Sequence, residues 1–381
     1  MAKSRRQFLR IAGSTAVIAA AGATGFIVTR TPDKALAPWS QAGSAYTDPR
    51  KRALSYAVLA PNPHNQQPWL VTLEGQDNFT LSYDLDQMLP HTDPFNRQIV
   101  IGLGCFLELM RMAAASDGYR ADVTLFPEGE PEPVLDGRPI ARVTLVKDGS
   151  VAASPLFAEV FYRRSNKEPF DMTKPVALED MTSITGVVGD GAITGAIHDQ
   201  GSIETLKDLS WRAHLIEVET PRTYMESVDV MRFGKSEINA NPDGIDMGGA
   251  FLEALNMAGI VTREELSDMT SAAYSQGIDM YRDIIWSAMG YVYVATATNT
   301  RRDQIASGRD WIRMNLKANQ LGIAIHPLSQ ALQEYPEMDA LLTELHETLG
   351  QQGSRVQMFA RVGYGPALSP SPRWPIDAKI T

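Results

Sequence analysis

Hydrophobic and polar positions along the chain switch repeatedly between the spacing of helices and the spacing of strands. In the first part, apolar residues recur every three or four positions over two stretches and every second position over four others. The predicted helices cover residues 50–59 and 99–116, and the predicted strands cover 69–73, 79–83, 121–126 and 140–146. Residues 127–137, rich in proline, glycine and acid, are expected to form an exposed loop. The helix at 99–116 is expected to bury one face, formed by Leu103, Leu107, Met110 and Ala114.

A second part of the chain begins near residue 154. It opens with a long, mostly helical stretch over residues 200–290, in which the Gly- and Asp-rich segment 239–249 is expected to be a loop. A strand, a helix that ends at Gly322 and a final strand follow, over residues 291–298, 303–321 and 355–362. The inward face of that helix is predicted to carry Ile305, Ile312, Leu316 and Leu321. Both parts place helices before strands, which permits an internal duplication without establishing it.

Composition narrows the function classes. The chain has 381 residues, of which 44% are hydrophobic, so it can bury a sizeable core as one large domain or two of ordinary size. Its 35 basic and 45 acidic side chains give a net charge of −10, which argues against nucleic acid as the main partner. The single cysteine, Cys105, excludes an intramolecular disulfide and a cysteine-based metal cluster, and its place in an apolar helix predicts that it is buried.

The N-terminus differs in charge from the rest of the chain. Residues 1–30 carry five basic side chains and no acid, so the remaining residues carry −15. The motif S-R-R-Q-F-L at residues 4–9, followed by an uncharged stretch rich in Ala and Gly, resembles a twin-arginine translocation signal. The resemblance implies export to the periplasm by the twin-arginine machinery, with residues 1–37 as the directing segment. A permanent membrane anchor is the alternative, and cleavage after Ala37 is undecided because Pro38 follows.

Familiar catalytic motifs are missing from the sequence. Gly234-Lys235-Ser236 lacks the first glycine of a phosphate loop, and a Gly-x-Gly at residues 189–191 lacks the third glycine of the dinucleotide fingerprint. The six histidines show no metal-ligand spacing, so no metal site is predicted, and no G-x-S-x-G elbow is present. A cofactor that carries the chemistry itself would fit this pattern.

Three segments remain as candidates for a binding site. They are A-P-N-P-H-N-Q-Q-P-W at residues 60–69, R-R-S-N-K-E-P-F at 163–170, and the tail at 361–373. The cations and hydroxyl of the second suit a phosphate, and the carboxamides of the first can pair with the edge of a planar heterocycle or with a polyol. From the residues alone, another interpretation stays open: the first segment is an ordinary solvated loop and the second is the basic start of a helix.

The first two segments resemble the signatures of the nitroreductase family, whose members are FMN enzymes. The order of the two motifs is reversed here and they lie about a hundred residues apart. This arrangement resembles the fused, Acg-type branch, in which two nitroreductase-like halves form a pseudo-dimer within one chain. The resemblance implies an α+β fold with homologous halves at residues 45–150 and 151–381, the second carrying a helical insert and a C-terminal tail. It also implies one FMN per chain, with no oligomer required for the flavin site.

The resemblance implies a set of cofactor contacts. Phosphate and ribityl oxygens would be held by Arg163, Arg164, Ser165, Lys167 and Arg373, with Arg361 from the same tail. The flavin ring would lie along Pro61, Asn62, Pro63 and Asn65, with Gln67 organising them. The segment at 321–330 would place a backbone N–H, from Ser329 or Gln330, near flavin N5, with Pro327 beside it. The sequence departs from the family pattern at three places. Asn62 replaces a serine, which is a tolerable polar exchange, and a lysine before the last arginine is missing. Ser329-Gln330 replaces Glu-Gly, which makes the N5 contact the weaker part of the resemblance.

The implied function is an exported FMN oxidoreductase that works in ping-pong fashion. It would reduce a small conjugated acceptor, such as a nitroaromatic or a quinone, with NAD(P)H or another electron donor. The alternative is a non-catalytic protein that binds or sequesters FMN beneath a cover formed by the helical insert and the loop around residues 221–250.

Overall fold

The computed structural model describes residues 29–189 and 191–381. The twin-arginine motif lies outside these residues. The candidate cleavage site at residues 35–37 lies inside them, within the first described helix, α1 (Asp33–Gln41). Helix α1 is followed by α2 (Pro49–Ala57), which begins where the Asp48 carboxylate accepts a hydrogen bond from the backbone N–H of Arg50.

The first part of the chain forms a four-stranded antiparallel sheet and a long helix. The elements are β1 (Trp69–Glu74), β2 (Asn78–Tyr83), α3 (Arg97–Ser116), β3 (Tyr119–Leu125) and β4 (Ala141–Lys147). The strand order is β1-β2-β4-β3, and Trp69 faces Tyr83 across the first pair. The predicted helices and strands of this part are confirmed to within three residues at their ends.

The second part contains another four-stranded antiparallel sheet. Its strands are β5 (Ile193–Ile197), β8 (Gly290–Thr296), β9 (Ala324–Pro327) and β10 (Arg355–Gly363), in the order β5-β8-β10-β9. The helices around it are α4 (Leu178–Thr185), α5 (Gln200–Glu219), α11 (Arg301–Gln320) and α12 (Asp339–Thr348). Helix α11 starts with a capping box between Thr300 and Asp303 and stops before Gly322, whose φ of 69° suits glycine. Both four-stranded sheets are antiparallel and are accompanied by helices, so the predicted α+β class is confirmed.

The helical insert, residues 221–286, lies between α5 and β8. It contains α6 (Pro221–Asp229), α7 (Gly234–Ala240), α8 (Ala250–Met257), α9 (Arg263–Ser267) and α10 (Ala272–Trp286). A short parallel pair, β6 (Met231–Phe233) and β7 (Ile245–Met247), crosses it, so the loop predicted at 239–249 includes a strand. The insert has a small apolar core of its own, built from residues such as Val228, Phe233 and Leu255.

Helix α3 is buried on nearly all sides, which corrects the prediction of one buried face. Its apolar residues continue around the helix, and they pack in one core with residues from both sheets. Cys105 is buried there as predicted, and burial raises its thiol pKa to about 12. Among the described residues, α3 alone is long and apolar enough to cross a membrane, and most of it is buried inside the protein.

The two long helices, α3 and α11, cross at a pair of glycines. A Cβ atom on Gly104 would lie 2.3 Å from the carbonyl oxygen of Ile305, and one on Gly308 would lie 2.0 Å from that of Ile101. Glycine is therefore required at both positions for the backbones to come this close. One turn along α3, the fully buried carboxylate of Glu108 adds a charged link across the crossing. The two parts of the chain thus share one core.

Candidate functional site

The first candidate segment forms a rigid loop between α2 and β1. Three of its residues have a positive φ although none of them is glycine: His64 (47°), Asn65 (54°) and Gln67 (49°). Such backbone conformations are costly and need outside support. The Asn62 side chain provides part of it, because its Oδ1 accepts a hydrogen bond from the backbone N–H of Gln67 at 2.8 Å. Pro61 and Pro63 restrict the remaining rotations of the loop.

Gln67 joins this loop to two distant parts of the chain. Its side chain is fully buried, and its Oε1 accepts a hydrogen bond from the backbone N–H of Trp374 at 2.9 Å. Its Nε2 donates to the carbonyl oxygen of Pro242, in the helical insert, at 2.6 Å. The loop is therefore fixed against the C-terminal tail on one side and the insert on the other.

Two arginines from distant segments meet at the start of the loop. Arg373 donates to the Oδ1 of Asn65 at 2.7 Å and to the carbonyl oxygen of Ala60 at 3.1 Å. Arg163 donates through Nη2 to the carbonyl oxygen of Leu59 at 3.3 Å, and Arg373 reaches the same oxygen at 3.4 Å. The structure thus brings together one residue from each of the three candidate segments.

These arginines are buried without a neutralising carboxylate. Arg163 is 4% exposed and Arg373 is 3% exposed, and neither belongs to an ion pair within the described parts of the chain. The Nη1 atom of Arg163 and the Nε atom of Arg373 are buried and unpartnered. Burial and the charge of Arg164 lower the pKa of Arg163 to about 10, and burial and the charges of Arg163 and Arg164 lower that of Arg373 to about 9. Buried cations with unused donors fit an anionic ligand such as a phosphate.

Arg164 lies beside this pair, and we refer to Arg163, Arg164 and Arg373 as the arginine cluster. Its guanidinium donates to the carbonyl oxygens of Phe161 and Leu368 and lies over the ring of Trp39, 4.8 Å from the centroid. Burial lowers its pKa as well. The cluster therefore concentrates positive charge in a poorly hydrated place.

The segment at 163–170 is joined to β9 at Ser165 and contains no helical turn, so it is not the basic helix start that the sequence left open. Ser165 forms a parallel bridge with Ile325, whose carbonyl oxygen accepts from the backbone N–H of Asn166 at 2.9 Å. Ser165 is half-buried and Lys167 is exposed. The segment is thus attached to the sheet of the second part, next to the cluster.

Arg361, in β10, holds this segment through hydrogen bonds to its backbone. It is fully buried in β10 and donates to the carbonyl oxygens of Asn166 and Glu168, to Ser287 and to the Nδ1 of His326. Its guanidinium also lies over the ring of Phe170 at 3.8 Å. With these protein partners in place, Arg361 organises the segment, and a direct contact with a cofactor stays a prediction.

Several titratable side chains that the sequence did not single out surround Lys167. Burial lowers the pKa of His64 to about 4, with a contribution from the charge of Lys167. Burial and the charges of Arg361 and Lys167 lower the pKa of His326 well below its usual value. Burial raises the pKa of Glu217 to about 7 and raises that of Asp246, while Lys167 opposes both changes. These groups come from four separate segments, so no local pattern could have indicated them.

Residues 327–330, which were predicted to carry the donor near flavin N5, lie at the end of β9 and just after it. Pro327 is the last residue of the strand, and Ser329 precedes a short 3₁₀ turn at Gln330–Leu332. The backbone N–H of the first residue of such a turn has no acceptor within the turn. Gln330 therefore presents a donor of the kind predicted, and all three residues are half-buried.

The helical insert also contacts the rigid loop. His64 Nε2 lies 2.9 Å from the hydroxyl of Ser227, and the carbonyl oxygen of Asn65 accepts from the backbone N–H of Gly244 at 3.1 Å. With the Gln67–Pro242 bond, three consecutive contacts hold the insert over the loop. In the part of the chain that the structure describes, no three His, Cys, Asp or Glu side chains group as metal ligands.

Comparison with known proteins gives several distant relatives in Mycobacterium tuberculosis. No protein-family model matches the chain. A protein named "Putative NAD(P)H nitroreductase acg" is 24% identical over 347 residues, covering 87% of this chain and 95% of that protein. A second protein with the same nitroreductase designation is 25% identical, covering 85% and 88%. An uncharacterised protein is 24% identical, covering 87% and 92%.

Solved structures give weaker matches. The FMN-dependent nitroreductase NfnB of Mycobacterium smegmatis in complex with NADPH has a TM-score of 0.33 and 16% identity, covering 53% of this chain and 84% of that one. A nitroreductase of Bacteroides fragilis with bound FMN has a TM-score of 0.31 and 16% identity, covering 57% and 93%. It is the similarity in sequence, extending over most of the chain, that supports the nitroreductase family for this protein.

Proposed function

We propose that the protein is an exported, FMN-dependent oxidoreductase that reduces a small conjugated acceptor. The arginine cluster carries the proposal. Among the described residues, its two most buried members, Arg163 and Arg373, have unused donors and no carboxylate partner. They lie at the loop whose sequence resembles the nitroreductase signature. A phosphate monoester supplies the missing negative charge and the missing acceptors. Bound FMN would supply the electron-transfer chemistry of the site.

The remaining residues divide the binding of FMN among themselves. Arg163, Arg164 and Arg373 hold the phosphate. Ser165 and Lys167 follow in the same segment, which is joined to β9 at Ser165. Asn62 and Asn65 offer carboxamides on the rigid loop, where positive φ angles and the Gln67 contacts fix their directions. The backbone donor at Gln330, shortly after β9, would face N5 of the ring.

The choice of acceptor and donor follows from the same groups. Lys167 and the buried carboxyl of Glu217 place a cation and a protonatable acid at one site, which suits an acceptor that gains electrons and protons together. The names of the relatives, and the NADPH complex of NfnB, favour a nicotinamide as electron donor. An exported protein would require another reductant, because nicotinamides are scarce outside the cytoplasm.

The absorbance spectrum of the purified protein is the first test. A flavin spectrum, with FMN rather than FAD or riboflavin released on denaturation, is expected. The flavoprotein is then mixed anaerobically with NADPH or NADH and afterwards with a nitroaromatic or a quinone. Bleaching by the donor and recovery with the acceptor are expected. A colourless protein that gains no FMN on reconstitution would contradict FMN binding altogether.

A non-catalytic FMN-binding protein is the second candidate, favoured by the contacts of the insert. Ser227, Pro242 and Gly244 all bond to the rigid loop, so the insert restricts access to the site from that side. Dithionite, a small reductant, separates the two candidates. If dithionite reduces the bound flavin while neither nicotinamide does, and no acceptor reoxidises it, the sequestering function is supported and the enzyme is not.

A further inference from the structure

The first described helix is tied to the tail that carries Arg373. The backbone N–H of Arg373 donates to the carbonyl oxygen of Ala35 at 2.8 Å, and the indole N–H of Trp39 donates to the carbonyl oxygen of Ser371 at 2.8 Å. The other side of α1 is held by the insert, because the N–H of Ala35 donates to the side chain of Asn239 at 3.1 Å. Helix α1 therefore belongs to the folded body at the site.

Within α1, the ring of Trp39 lies close to two members of the arginine cluster. The guanidinium carbon of Arg164 is 4.8 Å from the ring centroid and that of Arg373 is 5.6 Å away. Trp39 is 8% exposed, so water does not screen these contacts well. The electron-rich faces of the ring attract both cations, which offsets their mutual repulsion and fixes the planes of their guanidinium groups.

We propose that Trp39 is a positioning residue for the arginine cluster, and that it sets the preference of the site for a phosphorylated ligand. The inference rests on the proposed function, since the ligand is FMN. Trp39 acts through Arg164 and Arg373, so its contribution is confined to the phosphate end of the ligand. It also follows that cleavage after Ala37 would remove the hydrogen bond between Ala35 and Arg373.

The test compares FMN with riboflavin, which has the same ring and ribityl chain but no phosphate. Dissociation constants for both are measured by flavin fluorescence with the full chain, for the wild type and for Trp39→Leu and Trp39→Phe. Both variants lose the indole hydrogen bond, and only phenylalanine keeps an aromatic face. We expect Trp39→Leu to weaken FMN binding about tenfold and to leave riboflavin binding within about twofold, while Trp39→Phe restores most of the FMN affinity.

A matched control is available at Trp211, which lies over Arg282 at 5.9 Å on helix α5. Trp211→Leu removes a similar contact and should leave the ratio of FMN to riboflavin affinity unchanged. If Trp39→Leu weakens both ligands equally, the residue is merely structural and the inference is wrong. If neither constant changes, it is also wrong. If wild-type protein binds no FMN, it is the proposed function that fails. Should Trp39→Leu not fold, Trp39→Met takes its place, because it also lacks an aromatic ring; an unchanged ratio of FMN to riboflavin affinity in that variant would refute the inference.

Discussion

Glu108 offers a test of how the two parts of the chain are held together. Its carboxylate is fully buried in α3, and it accepts four hydrogen bonds from three arginines. Arg111, on the same helix, contributes two of them at 2.7 and 2.9 Å. Arg309 and Arg313, on α11, contribute bonds at 3.1 and 2.7 Å. The perturbation is Glu108→Gln, which keeps the shape of the side chain and removes its charge.

The size of the effect follows from two independent considerations. Removing one partner of a buried ion pair typically costs about 3–5 kcal/mol, and the lower end applies here because the three arginine side chains are 18–36% exposed. Burial by itself would raise the pKa of Glu108, but hydrogen bonds from Arg111 and Arg313 outweigh it and lower the pKa from 4.5 to about 2. At about 1.4 kcal/mol for each pKa unit, that difference corresponds to about 3 kcal/mol of stability.

The direction of the pH dependence is fixed by the same values. Because the folded-state pKa is lower than the unfolded one, ionised Glu108 stabilises the fold fully above pH 4.5. Its contribution is lost as the pH falls from 4.5 towards 2. We therefore expect Glu108→Gln to lower the free energy of unfolding by about 3 kcal/mol at pH 7, and by progressively less below pH 4.5.

Urea denaturation followed by circular dichroism, at several pH values from 7 to 2.5, measures this difference. The control is Glu347→Gln, since Glu347 is exposed on α12. The control should change the free energy of unfolding by less than about 0.5 kcal/mol at pH 7. A loss below about 1 kcal/mol for Glu108→Gln at pH 7, or a difference from wild type that does not shrink in acid, would refute the reasoning.

Three further predictions concern the site, the helix crossing and the leader. Arg163→Ala should raise the dissociation constant of FMN about 10- to 100-fold in a fluorescence titration, and an unchanged constant would remove Arg163 from the phosphate site. Gly308→Ala should lower the free energy of unfolding by about 3 kcal/mol, because its Cβ would lie 2.0 Å from a backbone oxygen of α3. The control Gly277→Ala, in open space on α10, should stabilise by up to about 1 kcal/mol; equal losses in both would refute the packing argument. Replacing Arg5 and Arg6 by lysine should retain the protein in the cytoplasm, as measured by cell fractionation. Continued export would contradict the predicted twin-arginine signal.

The secondary structure was largely predictable because its signals are local. Strict alternation on both sides of a short turn predicted β1 and β2, and the register of the pair follows that turn. The burial of α3 was not predictable in the same way. Helical spacing identifies one inward face, whereas Gly104 lets α11 approach on the side that the pattern left open. That contact depends on a helix two hundred residues further along the chain.

The same distinction between local signals and long-range contacts applies to the residues of the candidate site. Arg163, Arg373 and Asn65 lie in segments whose local composition is unusual, so each could be named from the sequence. Their meeting at the carbonyl oxygens of Leu59 and Ala60 depends on the packing of the tail against the loop. Trp39 gave no signal, because a single tryptophan after a leader is not a motif.

The energetics of the arginine cluster connect the site with the proposed route of export. Three cations in a poorly hydrated place, two of them with unused donors, are unfavourable until an anion joins them. A ligand that binds only the folded protein adds stability in proportion to the logarithm of its concentration over its dissociation constant. The cluster therefore favours folding in a compartment where the phosphorylated cofactor is present. The twin-arginine route carries proteins that have already folded, so the proposed export signal and the proposed FMN site are compatible: under this proposal the cofactor would bind before export.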